Sequence, residues 1–383
     1  MTSYGRFEDR IRRSLCEWDA AGLRRRLKAP SGIDLASNDY LGLATHPLLK
    51  ERMAEAVLRE GCGSTGSRLL RGERACFADV ERRFANFKRA ESALYFGSGY
   101  AANLSVLSTF MERIDAVFSD EYNHASLIDG MRLSHARRIK FPHCDVDRVA
   151  RLLREAPKGI QKFLVTESLF SMDGDFAPLV EYAGLCRETD TVLIVDEAHA
   201  VGVYGARGSG IVEEAGVDDA VFVTINTAGK ALGVAGAFVA GPDWAIDYLI
   251  QRARPFIFST APPPPIAAAL DAGITVVEQE PERRQRLMKH SRLLRALLLE
   301  AGINIGRSNS QIIPIVLGGN DRACKMAAEL QQEGFDVRAI RPPSVPPGTA
   351  RLRVSVNAGL DEPTLRRFAQ SVIRCTPCSP AYS

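Results

Sequence analysis

The chain has 383 residues, 46% apolar and 25% charged, and a formal net charge of +3 from 49 basic against 46 acidic side chains. That mix excludes a disordered or fibrous chain. So small a basic excess gives no electrostatic footprint of a nucleic-acid partner or an anionic membrane.

No apolar run reaches the roughly eighteen residues a membrane span needs. The first twenty residues are charged and lack the apolar centre of a signal peptide. Eight scattered cysteines read as reduced thiols of a cytoplasmic protein. Cys375 and Cys378 have C-x-x-C spacing but lie in a Pro/Ser tail with no second pair, so no metal site is expected.

In chain order, the pattern predicts a helix from Phe7 to about Lys28, an extended segment from Asp34 and a helix over His46 to Glu60. Apolar β-type runs follow at 93–96, 116–119, 137–141, 162–167, 191–196, 220–225 and 236–240, mostly separated by helical stretches. Such alternation predicts an α/β layer around a mostly parallel seven-stranded sheet, covered by helices on both faces. Beyond 241 the texture changes to a helix over 243–254, a proline break at 262–265 and a long helical block over 266–301. Strands at 312–316, 337–340 and 351–356 alternate with helices at 321–333 and 363–373, giving a smaller α+β C-terminal domain. The expected division is an N-terminal arm (1–45), a large domain (46–240) and a small domain (241–383).

Two glycine-rich stretches stand out. Gly61-Cys-Gly-Ser-Thr-Gly66 matches a dinucleotide fingerprint literally, but a helix precedes it where a strand is required. Gly97-Ser-Gly-Tyr-Ala-Ala-Asn103 does follow a strand and open a helix, where backbone N–H groups can bind a phosphate. An ordinary tight turn fits that stretch equally well. Lys230 follows an apolar strand among small residues, as a Schiff-base lysine or one snorkelling at a strand edge. The half P-loop around it fails, because Ala231 stands where Ser or Thr is needed.

Thr191–Asp196 is a fully apolar strand ending in an aspartate. Ligands of parallel sheets sit outside such carboxyl ends. Pyridoxal phosphate needs a lysine amine, a carboxylate facing its pyridinium nitrogen and a phosphate-binding helix start. Lys230, Asp196 and Gly99-Tyr100 offer these three at successive strand ends.

Longer stretches support the same reading. They are Ser37-Asn-Asp-Tyr-Leu-Gly-Leu43, Gly63-Ser-Thr-Gly-Ser-Arg68, His124-Ala-Ser-Leu127, Thr166-Glu-Ser-Leu-Phe-Ser-Met-Asp-Gly-Asp175, Asp196-Glu-Ala-His199, Thr227-Ala-Gly-Lys230 and Ile340–Arg353. From about Arg24 to Arg353 the chain resembles the pyridoxal-phosphate-dependent α-oxoamine synthase family of the aspartate-aminotransferase fold (PLP-dependent transferase fold type I). Ile340–Arg353 is most similar to the branch serving biotin synthesis.

The resemblance implies a decarboxylative Claisen condensation of an amino acid with an acyl thioester. The pair would be L-alanine and a pimeloyl thioester, carried by CoA or an acyl carrier protein; sister enzymes use glycine or serine. It implies that Lys230 forms the Schiff base and moves protons, that Asp196 faces the pyridinium nitrogen and that His124 stacks on the ring. His199 and Ser171 would orient the ring, and Gly99, Tyr100 and Thr227 would hold ring and phosphate. Arg353 would clamp the amino-acid carboxylate, Asn38 and Ser344 would line the substrate site, and Arg24 would face the distal end of the acyl chain. The resemblance also implies a homodimer with a shared active site, the loop Gly63–Gly72 reaching the partner's cofactor. Asn226 and Asn357-Ala-Gly-Leu360 depart from the family pattern. A nicotinamide dehydrogenase using Gly97-x-Gly99 and Asp120 would leave Lys230 unexplained, and intact Lys230, Asp196 and His124 argue against a silent binding subunit.

Overall fold

The structure, a computed structural model, describes residues 4–376. Its centre is a seven-stranded sheet of β2 (Ser92–Phe96), β3 (Ala116–Asp120), β4 (Arg137–Phe141), β5 (Lys162–Glu167), β6 (Thr191–Asp196), β7 (Val221–Thr227) and β8 (Ala237–Gly241). The order is β2-β8-β7-β6-β5-β3-β4, parallel throughout except for β8, which runs antiparallel to both neighbours. The expected sheet is therefore present, with its seven strands and parallel majority. Thr166↔Val195, Glu167↔Asp196 and Asp196↔Ile225 are in register, so the carboxyl ends of β5, β6 and β7 form one ledge.

The strand residues are apolar on both sides because both faces are covered. Along β6, Ile194 faces one core layer and Leu193 and Val195 the other. The first layer is closed by the helix Gly99–Phe110 through Ala102, Val106 and Leu107. The second is closed by the helix Ala75–Lys88, whose Phe84 stacks on Phe238 of β8 at 4.1 Å.

The C-terminal unit carries a three-stranded antiparallel sheet of β9 (Ile312–Gly318), β12 (Ala350–Ser355) and β11 (Ala339–Ile340), in the order β11-β12-β9. A two-residue strand near the N-terminus, β1 (Ile33–Asp34), pairs in parallel with β10 (Phe335–Asp336) of this unit. The segment leading to Asn38 and Tyr40 is thus pinned to the C-terminal unit.

Three expectations need correction. The first helix is Gly5–Ala20, not 7–28; Gly22 at φ +63° turns the chain, and Arg24 lies beyond the helix. The block 266–301 is two helices, Pro265–Gln279 and Pro281–Glu300, divided at Glu280 because Pro281 disfavours helical backbone before it. The strand predicted over 337–340 reduces to Ala339–Ile340. No described helix is long and apolar enough to cross a membrane. The seven cysteines among the described residues are free; Cys378 lies outside them.

Candidate active site

The ledge at the ends of β5, β6 and β7 collects the chemistry. Asp196 ends β6, and its Oδ2 accepts a 2.7 Å hydrogen bond from Asn103 Nδ2 while Oδ1 accepts one of 2.8 Å from the Ala198 amide. Both bonds fix the orientation of a buried carboxylate. Asn103 belongs to the helix that opens at Gly99, so the phosphate-type donors and the hydrogen-bond partner of Asp196 share one element.

Ser98 caps that helix, its Oγ accepting from the Ala101 amide. The N–H groups of Gly99 and Tyr100 are left without intrahelical acceptors, as at any helix start. A Cβ on residue 99 would collide with Thr227 Oγ1. Only glycine lets the helix start and the end of β7 meet, which brings Gly99 and Thr227 together. Tyr100 points elsewhere: it is 44% exposed, and its hydroxyl bonds Asp129.

Lys230 lies in the turn after β7. Its Nζ is 2.9 Å from His199 Nε2. Burial pushes the Lys230 amine down to about 8 against the opposing pull of Asp196 and Glu167. His199 is pushed well below its ordinary value, first by burial and then by the cations Lys230 and Arg353. A neutral imidazole then accepts from Lys230 at Nε2 and donates from Nδ1 to Tyr40 Oη at 2.6 Å.

Tyr40 extends the chain of bonds. Its hydroxyl donates to Asn38 Oδ1 at 3.1 Å and accepts from Arg353 Nη2 at 3.3 Å. Arg353 also donates to Asn38 Oδ1 at 3.0 Å, to Ser355 Oγ at 2.8 Å and to the Ser171 carbonyl at 2.5 Å. One connected network thus joins Lys230, His199, Tyr40, Asn38, Arg353 and the Ser171 backbone.

His124 caps the helix Ala125–Ser134, its Nδ1 lying 2.7 Å from Ser126 Oγ, which in turn accepts from Asn103. Burial lowers the His124 pKa, with Asp196 opposing and Lys230 reinforcing. Glu167, at the end of β5, is fully buried, and burial beside Asp196 pushes its carboxyl up to about 8. Its Oε2 accepts from the Ser171 amide at 3.3 Å, while its Oε1 has no partner.

Two predicted residues stand apart. Arg24 pairs with Asp19 on the exposed N-terminal segment, and Ser344 is exposed in the loop after β11. Neither bonds to the Lys230 network within this chain. Asp120, weighed as a ribose-binding acid, is instead occupied by the amides of Tyr122 and Cys144 and by His143. Sequence reasoning missed Tyr40, Asn103 and Glu167. All three sit inside or beside the quoted stretches; what was invisible was that their polar atoms turn inward.

The residues present fit pyridoxal phosphate. The site holds a buried amine, a bonded carboxylate at a strand end, a helix start approached closely by Thr227, and unpartnered buried oxygens on Glu167 and Asn103.

Residues 30–372 match the family described as aminotransferase class I and II. The chain is 46% identical over 376 residues to the 8-amino-7-oxononanoate synthase of Anaeromyxobacter dehalogenans, covering 94% of each chain. Among solved structures, the serine palmitoyltransferase of S. paucimobilis with bound PLP and myriocin aligns at TM-score 0.90 with 27% identity over 98% of each chain. The 8-amino-7-oxononanoate synthase of Francisella tularensis aligns at 0.77 with 28% identity, over 90% of this chain and 97% of that one.

Proposed function

The chain belongs to the class I and II aminotransferase family, and from that premise we propose that its buried lysine site condenses L-alanine with a pimeloyl thioester, releasing CO2 and the thiol. It is a pyridoxal-phosphate-dependent acyltransferase acting on an amino acid and an acyl substrate. The observation that supports the choice of reaction most is the Lys230–His199–Tyr40–Arg353 network, which links a guanidinium suited to a carboxylate with a depressed amine through one chain of hydrogen bonds. The choice of alanine and the pimeloyl chain is supported by relatives named 8-amino-7-oxononanoate synthase.

When bound, pyridoxal phosphate supplies a carbonyl carbon that captures amines and a pyridinium ring that accepts the electron pair left at an amino acid's α-carbon. Lys230 would hold the group through Nζ, and Asp196 would keep the ring nitrogen protonated. The amides of Gly99 and Tyr100, with Thr227 Oγ1, would receive the phosphate. His124 would cover the ring face, and His199 and Ser171 would fix the ring's orientation.

The chain's own groups do the proton work. Burial lowers the Lys230 amine to about 8, so its neutral form is the minority at pH 7 and half the population about pH 8; in that form Lys230 Nζ takes the α-proton of the bound amino acid and later returns one. Arg353 presents a planar fork to the amino-acid carboxylate, with Asn38 steering it. Release of that carboxylate as CO2 follows formation of the β-keto acid. His124, kept neutral by burial, polarises the acyl carbonyl.

Lys230→Ala tests the reading. It should abolish the visible band of the covalently held cofactor and reduce turnover by at least a thousandfold; retention of both would refute it.

We also propose a homodimer in which Gly63–Gly72 reaches the partner's cofactor, and in which Arg24 and Ser344 complete the acyl site. The proposal is supported by the exposure of Arg24, of Ser344 and of Leu69 and Leu70 at the tip of the loop, none of which bonds to the Lys230 network within one chain. Light scattering at micromolar concentration should give twice the chain mass, and a monomer would refute it. The acyl carrier is CoA or a carrier protein.

A further inference from the structure

His143 lies outside the Lys230 network, just beyond β4. Its two ring nitrogens each face a buried carboxylate: Nδ1 is 3.0 Å from Asp120 Oδ1, and Nε2 is 2.9 Å from Asp175 Oδ2. A neutral imidazole has one N–H and one lone pair, so it can satisfy only one of two carboxylates. Both Asp120 oxygens already act as acceptors, Oδ1 from the Tyr122 amide at 2.8 Å and Oδ2 from the Cys144 amide at 2.9 Å. Two bridged carboxylates therefore call for a ring that donates from both nitrogens. The same two contacts argue against a metal at Asp120, His143 and Cys144, since each ring nitrogen is already committed.

Packing reinforces the bridge. The His143 ring stacks on Tyr122 at 4.5 Å and meets Phe170 edge-on at 4.4 Å. Tyr122 stands two residues before His124, and Phe170 one before Ser171. The Phe170 amide bonds the Asp175 carbonyl at 3.0 Å, closing a loop that Asp175 anchors. Cys144 is held at φ +56°, a left-handed conformation unusual for a residue with a side chain, which puts its amide on Asp120.

We propose that His143 is a positioning residue: a cationic clamp that ties the Asp120–His124 turn to the Phe170–Asp175 loop and so fixes how far apart His124 and Ser171 stand. The ionisable groups facing it are Asp120 and Asp175, the Cys144 thiol 3.7 Å from both ring nitrogens, the Tyr122 phenol and Glu121, whose carboxylate accepts from the His143 amide. The two aspartates raise the ring's pKa to about 12 against the cost of burial. The role of the clamp rests on the cofactor reading above, but not on the identity of the acyl donor.

The test compares His143→Gln, Asp175→Ala and Asp175→Asn with the wild-type holoenzyme. Asp175→Asn lets a neutral His143 donate to Asp120 and accept from the new amide, so the bridge survives. It should stay within threefold of wild type in the rate of α-proton exchange of L-alanine in D2O. Asp175→Ala and His143→Gln cut the bridge and should lose at least tenfold in that rate. They should also shift the bound cofactor's absorption maximum while changing the apparent alanine affinity less. Asp175→Ala with the wild-type rate and spectrum would overturn the proposal, as would an equal loss in Asp175→Asn. If His143→Gln does not fold, the Asp175 pair decides. Nitrogen-15 NMR of the histidine rings needs neither cofactor nor substrate. Both His143 nitrogens should read as protonated through pH 9, and a neutral ring at pH 7.5 would overturn the clamp whatever the enzyme's substrates prove to be.

Discussion

Lys230 and Glu167 both lie within electrostatic reach of Asp196, and burial pushes them in opposite directions toward the same value, about 8. In the cofactor-free chain Glu167 is raised above its unfolded value, so the folded chain binds the extra proton between about pH 4.5 and 8. The stability Glu167 contributes is complete below that window and lost as pH rises through it. Lys230 is depressed, so the unfolded chain binds the extra proton between about pH 8 and 10.5, and stability recovers with pH there. Chemical denaturation of the cofactor-free chain should show the fall, and Glu167→Gln should flatten it. The rate of cofactor uptake, which needs a neutral amine, should rise with pH through a midpoint about 8. A rate independent of pH between 6 and 9 would contradict a buried, depressed Lys230. Among single residues the sequence marked Lys230, Asp196 and Arg353 as candidates, since they stand at strand ends or on strands whose apolar patterns are plain, and the structure joins Lys230 and Arg353 through one chain of hydrogen bonds. The sequence did not reveal Tyr40. Within Ser37-Asn-Asp-Tyr-Leu-Gly-Leu43 nothing marks where that side chain points, and only the fold shows its hydroxyl between His199 and Arg353.

Among the elements, the helix Gly99–Phe110 does most to position the site. One end offers free amides, its second turn presents Asn103 to Asp196, and its buried face packs on the sheet. Its entry depends on residue 99 having no Cβ, because Thr227 occupies that space. Gly99→Ala should therefore weaken cofactor binding at least tenfold by equilibrium titration, with the fold retained by circular dichroism. Unchanged affinity would show that the helix start can move away without consequence. The strand runs were legible because a parallel strand buried on both faces must be continuously apolar. The antiparallel direction of β8 was not, since its composition is that of its parallel neighbours. The departures at Asn357 also find a role here. Asn357 Nδ2 donates to the Asp34 carbonyl at 3.0 Å, and the Ala358 amide donates to the Tyr40 carbonyl at 2.8 Å. This turn pins the segment carrying Asn38 and Tyr40. Asn226 bonds Thr224, and nothing in the structure explains its Oδ1.

For the whole molecule, the candidate site draws on two sheets of different architecture. The large sheet supplies Asp196, Lys230 and the helix start, and the small antiparallel sheet supplies Arg353 from β12. The segment from β1 to Tyr40 links them, being paired to β10 at one end and bonded to His199 and Arg353 at the other. Composition and periodicity marked the strands of both sheets, but not this strap, whose β1 is two residues long. The central claim is a condensation with loss of the amino acid's own carboxylate, and its products decide it. The holoenzyme should be incubated with L-alanine labelled at the carboxyl carbon and pimeloyl-CoA, following labelled CO2, free CoA and the mass of the amino ketone together. All three should appear in equal amounts, with glycine and L-serine much slower. Release of free CoA without labelled CO2, or a faster reaction with glycine or serine, would contradict it.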